Sequence, residues 1–378
     1  MIGLSVAWEL ATSGLGVTVV DPAPGSGASG VAAGMLAAVT EAHFTEPDLA
    51  GANVLSLSLW PGYASRLEAA SGMVVGLERA GTLVVAGDPS DRDALAQLGR
   101  FVNSIGLEAE WVGARELRRR EPLLSPNLTG ALFAPGDYSV NNRSLHAALL
   151  AACKTAGVDF VQEAASGVAT SDATAIGVTI SGGELIAAEW VVVAAGAWTA
   201  GISGLPLSLT SALRPIKGHI LRLSPTERAG PLPLLSHTVR GLVNGRPVYL
   251  VPRADRELVL GATSEERGFD LRKEAGSVGD LLQDARAVLP AIDHCELTEI
   301  GVGLRPGSFD NAPVVGRVGP RGLVAACGHY RNGILLAPLT AELVADEILG
   351  NSRHSIPSFL PSRLVERKNP ALQEGGLG

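Results

Sequence analysis

Apolar positions at the start of the chain recur with helical spacing. Leu4, Ala7, Trp8 and Ala11 fall at i, i+3, i+4 and i+7, one face of an α-helix. Gly14 and Gly16 mark its expected end, where glycine accommodates a left-handed cap. Val17 to Val20 is a β-branched run closed by Asp21 and Pro22, a short strand. The loop Pro22–Gly30 is made of small residues, and 31–38 reads as a small-residue segment starting a helix. A long helix is expected over 48–71, a strand over Thr82–Ala86, and a helix capped by Asp88 to about Ser104. The charge run Arg115–Glu121 reads as a solvated helix face.

Asn141–Ala156 has an amphipathic pattern stopped by Gly157, and Val158–Phe160 follows as a strand. Residues 166–188 read as a hairpin turning at Ser181-Gly182-Gly183. Glu189 to Trp198 is a continuous apolar strand running into glycine, the pattern of a parallel strand buried on both faces. Strands then alternate at Gly218–Leu223, Val248–Pro252 and Leu258–Gly261, followed by a helix over 277–288 and strands near Leu297–Arg305. Leu323–Ala326 is a last buried strand before a helix over Asn332–Leu349, and the polar tail 363–378 reads as disordered. The fold class is mixed α/β (α+β). Parallel-type strands at both ends and antiparallel ones between imply a discontinuous nucleotide-type domain with an inserted, mostly antiparallel domain.

Length and charge narrow this picture. At roughly 100–200 residues per domain, 378 residues allow two or three domains. A net charge of −8 disfavours a nucleic-acid partner or an anionic membrane, both of which want a basic face. The longest apolar stretch, Leu185–Trp198, is interrupted by Glu189, short of the roughly 18 residues of a membrane span. No secretory signal is evident at Met1. Cys153, Cys295 and Cys327 are too scattered for a disulfide framework or a metal site, so no metal is expected and the compartment is reducing and cytoplasmic.

Helix, turn, strand and terminal acid make the second half of a βαβ dinucleotide-binding unit. In such a unit Asp21 accepts hydrogen bonds from ribose hydroxyls, and Gly3 is the glycine that lets helix and strand pack closely. An ordinary βα unit has the same outline.

Further motifs follow in order: Gly34-Met35-Leu36, Val193-Ala194-Ala195-Gly196-Ala197-Trp198, Tyr249-Leu250-Val251-Pro252-Arg253, Gly303-Leu304-Arg305-Pro306-Gly307, and Gly328-His329-Tyr330-Arg331-Asn332-Gly333-Ile334-Leu335-Leu336-Ala337-Pro338. Together they resemble the D-amino-acid-oxidase-type flavoproteins, most closely the glycine oxidases of thiamine biosynthesis. The resemblance implies a Rossmann-like FAD-binding domain over 1–80, 141–212 and 306–362, and a substrate domain over 81–140 and 213–305. It implies non-covalent FAD, since residues 301–316 lack the cysteine with which a sarcosine-oxidising branch tethers its flavin. A small amino acid and O2 are the implied partners, and a homo-oligomer is compatible.

On this likeness Arg305 clamps the substrate carboxylate, Tyr249 hydrogen-bonds it, and Arg331 lies beside flavin and substrate. A guanidinium at an apolar strand end carries a desolvation cost that a bidentate carboxylate offsets. The cofactor set is Gly3, Asp21, Ala28, Ser29, Ala33, Gly34, Met35, Val168, Gly196, Trp198, and His329, Tyr330, Arg331, Asn332, Gly333, Ile334 and Leu335. The last group leads into a helix whose amides suit the electron-rich edge of the flavin. Met35 is equally a core residue in outline. His329 reads as structural or flavin-contacting, because an amine already neutral needs no dedicated base.

Ser264 and Pro247 stand where similar enzymes carry methionine and histidine, so the substrate preference is left open. The implied chemistry is oxidative deamination with O2 reduced to H2O2. A D-amino-acid dehydrogenase passing electrons to a quinone, and a chain with impaired FAD binding, are the alternatives. The likeness also implies one more strand and two more glycines ahead of Met1, which stands at a valine of the family run. A GTG valine codon read as an initiator is the expectation, in keeping with 26 Arg against 4 Lys.

Overall fold

The computed structural model describes residues 1–243 and 246–366. The chain forms two compact units, one of residues 1–27, 149–215 and 305 onward, the other of 28–148 and 216–304.

In the first unit the opening helix spans Ile2–Thr12 and the strand Thr18–Val20 pairs in parallel with Asp159–Val161. A second parallel pair joins Val191–Val193 to Leu323–Cys327, which pairs antiparallel with Val314–Arg317. Val191, Val193, Leu323 and Ala325 are buried together with Leu209 and Val314. The closing helix Ala337–Leu349 packs on Ile2–Thr12. Arg353 fastens the two, reaching Asp346 at 2.7 Å and Glu9 at 3.1 Å.

Residues 165–187 are a meander of three antiparallel strands, Ala165–Ser171, Thr174–Ile180 and Leu185–Ala187, rather than one hairpin. The expected glycine turn makes only the second reversal. The first is made by Asp172 and Ala173, both at positive φ (48° and 58°), so no glycine signals it.

The second unit is built on an eight-stranded sheet. Its order is 295–308, 213–225, 258–261, 246–252, 238–243, 82–86, 130–134 and 110–113. Thr238–Val243 runs parallel to Thr82–Ala86. One sheet face carries the main core, including Leu221, Leu223, Leu250 and Leu260, under the helix Ala275–Val288. A smaller cluster groups Ala33, Ile220, Val251 and Val259, with Val31, Met35 and Tyr249 against it.

Four sequence expectations change here. Residues 31–38 do not start a helix: a short one covers Ala28–Val31, Gly34 turns at φ 72°, and Met35–Leu36 pairs with Tyr138–Ser139. The last helix begins at Ala337, not Asn332, because Pro338 deeper in a helix would clash with the carbonyl four residues back. In the charge run, Glu116 pairs with Arg119 and Arg120 as a solvated face should, but Glu121 is 1% exposed. Its carboxylate accepts from the amides of Ser236 (2.9 Å) and His237 (2.8 Å). Of the expected tail, Arg363–Glu366 is a helical turn and 367–378 lie outside the described residues. No helix among the described residues is long and apolar enough to cross a membrane, and no metal-binding cluster occurs among them.

Candidate active site

The first unit positions its candidates mainly through backbone. A Cβ on Gly3 would stand 3.4 Å from that of Ala194, so the opening helix lies close against the end of its neighbouring strand. Asp21 follows the strand Thr18–Val20, donates its amide to the Val161 carbonyl and accepts the Ala23 amide at 2.9 Å. That leaves a half-buried carboxylate at a strand end, the hydrogen-bond acceptor that ribose hydroxyls need. Gly196 turns at φ 58° and starts a short 3-10 helix. The turn lays the half-exposed Trp198 indole along Gly27, where a Cβ would be 3.3 Å away. Val168 sits in the meander with its amide donated to the Ser203 carbonyl at 2.9 Å, so that N–H is already used.

Arg305 and the 328–335 segment are stitched together. Tyr330 donates its amide to the Pro306 carbonyl at 2.8 Å, and Gly307 bridges to His329. Tyr330 adopts φ 48°, and the Arg331 guanidinium lies over its ring and donates to its hydroxyl at 3.1 Å. His329 is 2% exposed with Nε2 at 2.9 Å from Thr340 Oγ1. Burial first, and the nearby positive chain terminus second, push its pKa down to about 3. The imidazole is therefore neutral and no proton acceptor near neutral pH. Asn332 donates its amide to the His329 carbonyl and accepts the Leu336 amide. Among the described residues the amides of Gly333 and Ile334 meet no backbone carbonyl, although Ile334 is buried.

The second unit positions its candidates with buried side chains. Ala28 and Ser29 open the short helix, and the Asn142 amide donates to the carbonyls of Ser29 (2.8 Å) and Gly30 (3.3 Å). Asn142 Oδ1 accepts from Arg222, which is 2% exposed and paired with Glu257. A Cβ on Gly303 would run into Val31, which explains the small residue in that motif. Gly34 is forced twice, by its positive φ and by the Val140 carbonyl where a Cβ would go. Met35 and Tyr249 pack on the same small cluster, and the Tyr249 ring covers the space above Gly261. Ser264 and Pro247 are exposed.

Sequence reasoning passed over Asn142, Arg222 and Arg253. The reasoning applied to Arg305, a guanidinium closing an apolar run, fits Arg253 equally well. A cleft of about 500 Å³ in the second unit is lined by Glu78, Tyr138, Ser139, Arg253 and Arg256 among others, and no expected site residue lines it.

An acid at the end of a nucleotide-type strand, a close-packed glycine helix and two amides without a backbone carbonyl ahead of a helix are features that a flavin-nucleotide oxidoreductase would use. These groups fit FAD: Asp21 would accept from the ribose hydroxyls, and the Gly333 and Ile334 amides would donate to the pyrimidine edge. The chain matches the FAD dependent oxidoreductase family, DAO, over residues 1–347, and belongs to it. It is 36% identical to glycine oxidase from Geobacillus kaustophilus over 349 residues, 92% of this chain and 90% of that one. The crystal structure of glycine oxidase from that organism matches with a TM-score of 0.87 at 35% identity, covering 96% of each chain. The bifunctional protein ThiO/ThiG of Trichormus variabilis is 34% identical over 92% of this chain, which spans about half (51%) of that protein.

Proposed function

We propose that this enzyme oxidises small amino acids, glycine foremost, using non-covalently bound FAD and O2. Glycine, O2 and water give glyoxylate, ammonia and H2O2 in that reaction. When bound, FAD supplies the hydride acceptor for the Cα–H and the path of two electrons to O2. The observation that carries the reading is the backbone stitching of the Arg305 strand to the His329–Arg331 turn, which supports a carboxylate-binding role for Arg305 close to a flavin-binding role for the 333–334 amides.

Arg305 takes the carboxylate in a bidentate grip and so fixes which way Cα faces. Arg331 adds positive charge from the turn stitched to the Arg305 strand, and Tyr249 keeps the carboxylate-bonding role that the family likeness gives it. His329 takes no proton; the ammonium of the amino acid loses its proton to solvent before oxidation. Likeness to the ThiO part of the bifunctional relative supports a supply of imine to thiazole formation. Three free thiols support a reducing compartment such as the cytoplasm. By function, the FAD part would span 1–80, 141–212 and 306–362, and the substrate part 81–140 and 213–305, limits that differ from those of the two compact units.

The purified chain should show a flavin band near 450 nm, released by denaturation without proteolysis, and should yield one H2O2 per glycine consumed. Glycine oxidation that proceeds with a quinone but not with O2 would favour the dehydrogenase reading.

A further inference from the structure

Residues 28–36 carry five of the expected cofactor and cavity positions: Ala28, Ser29, Ala33, Gly34 and Met35. Asn142 holds the front of this segment by two carbonyls. Its rear is held by Arg253. That guanidinium is 6% exposed and donates to the carbonyls of Val140, at 2.9 Å, and of Ala33. Val140 in turn donates its amide to the Gly34 carbonyl at 2.8 Å, and Met35 pairs with Ser139. One side chain thus ties both strands of the Met35 ribbon at once.

A buried cation is expensive where neutral groups would serve. Burial, and Arg222 nearby, push the Arg253 pKa down to about 10, and Nε has no partner. A planar fork is the feature that lets one side chain reach two carbonyls in fixed geometry; an ammonium is a point donor. Arg253 also follows Tyr249 on the same stretch of chain, and Tyr249 and Met35 share one apolar cluster.

We infer that Arg253 is a positioning residue for substrate selection: through the Ala33 and Val140 carbonyls it fixes Met35 relative to Tyr249. The inference rests on the proposed amino-acid oxidation and deepens it. Met35 is the side chain the clamp aims, so loosening it should alter fit for substrate more than the rate of the bound complex.

The test uses the holoenzyme with Arg253→Lys and Arg253→Met. Hydrogen exchange in peptides covering 33–36 should quicken by about tenfold or more in either variant, while 246–252 stays as in the parent, the loss expected of one charge-assisted hydrogen bond. The KM for glycine should rise by about tenfold with kcat within about threefold, and the glycine-to-sarcosine preference should shift. If Arg253→Met does not fold, Arg253→Lys, which keeps the charge but not the fork that spans both carbonyls, decides alone. Parent-like exchange at 33–36 overturns the clamp; faster exchange with unchanged KM and preference overturns its role in selection. A parent enzyme with flavin but no amino-acid oxidation would sink the proposed function instead, and the exchange arm would still report on the clamp.

Discussion

The two units place their candidate functional groups by different means. In the first, Arg305, Tyr330 and the 333–334 amides are set by strand bridges, turns and positive φ values, with few side chains involved. In the second, Ser29, Gly30, Ala33 and the Met35 ribbon are held by the buried side chains of Asn142, Arg222 and Arg253. Backbone-built sites leave amides open to a ligand at no rotamer cost. Side-chain-built ones fix geometry but stake it on buried polar groups that must all stay satisfied.

That difference can be broken at graded points. Arg305→Ala should have the largest effect, lowering kcat/KM for glycine by about 2–4 kcal/mol, mainly through KM, with FAD content unchanged; an unchanged KM would remove Arg305 from the carboxylate site. Asn142→Ala should cost about 2–3 kcal/mol, because it strips two carbonyls and Arg222 of a buried partner at once, read as a fall in thermal midpoint. The matching change in the first unit, Thr340→Val, removes one partner from buried His329 and should cost about 1–2 kcal/mol. A larger loss there than for Asn142→Ala would reverse the contrast.

Acidity supplies the finest test. Burial pushes His329 down to about 3, so the unfolded chain takes up a proton first and stability falls as pH drops below about 6.5. Burial raises Asp137 to about 6 despite its hydrogen bonds from Thr40 and the Val39 amide. The folded chain therefore takes that proton first, and stability falls as pH rises through about 4 to 6. The two effects oppose each other between pH 4 and 6. Asp137→Asn should make the acid-side fall in thermal midpoint steeper; a shallower fall would contradict the assignment.

Much of this was legible in the chain. The helix at 47–71 and the capped helix at 89–104 follow from periodicity and from Asp88 with its capping box. The strand ending at Asp21 and the Gly303–Gly307 and Gly328–Pro338 motifs lie where local pattern shows them. What stayed hidden depends on distant partners. The Asp172–Ala173 turn uses left-handed backbone without glycine, and Glu121 is buried by residues more than a hundred positions away. Arg253 and Asn142 look like ordinary polar residues until the carbonyls they hold are brought to them.

The Arg353 knot has a consequence for synthesis. It joins Glu9 to a residue 344 positions later, across the helix pair that closes the first unit. On the ribosome, the opening helix emerges long before its partner exists, with the apolar faces of Leu4, Val6 and Trp8 still uncovered. The second unit, whose residues end at 304, has all of its chain earlier. Vectorial production therefore favours a nascent chain whose middle folds first while its two ends wait, and that interval is when chaperone capture and aggregation compete with closure.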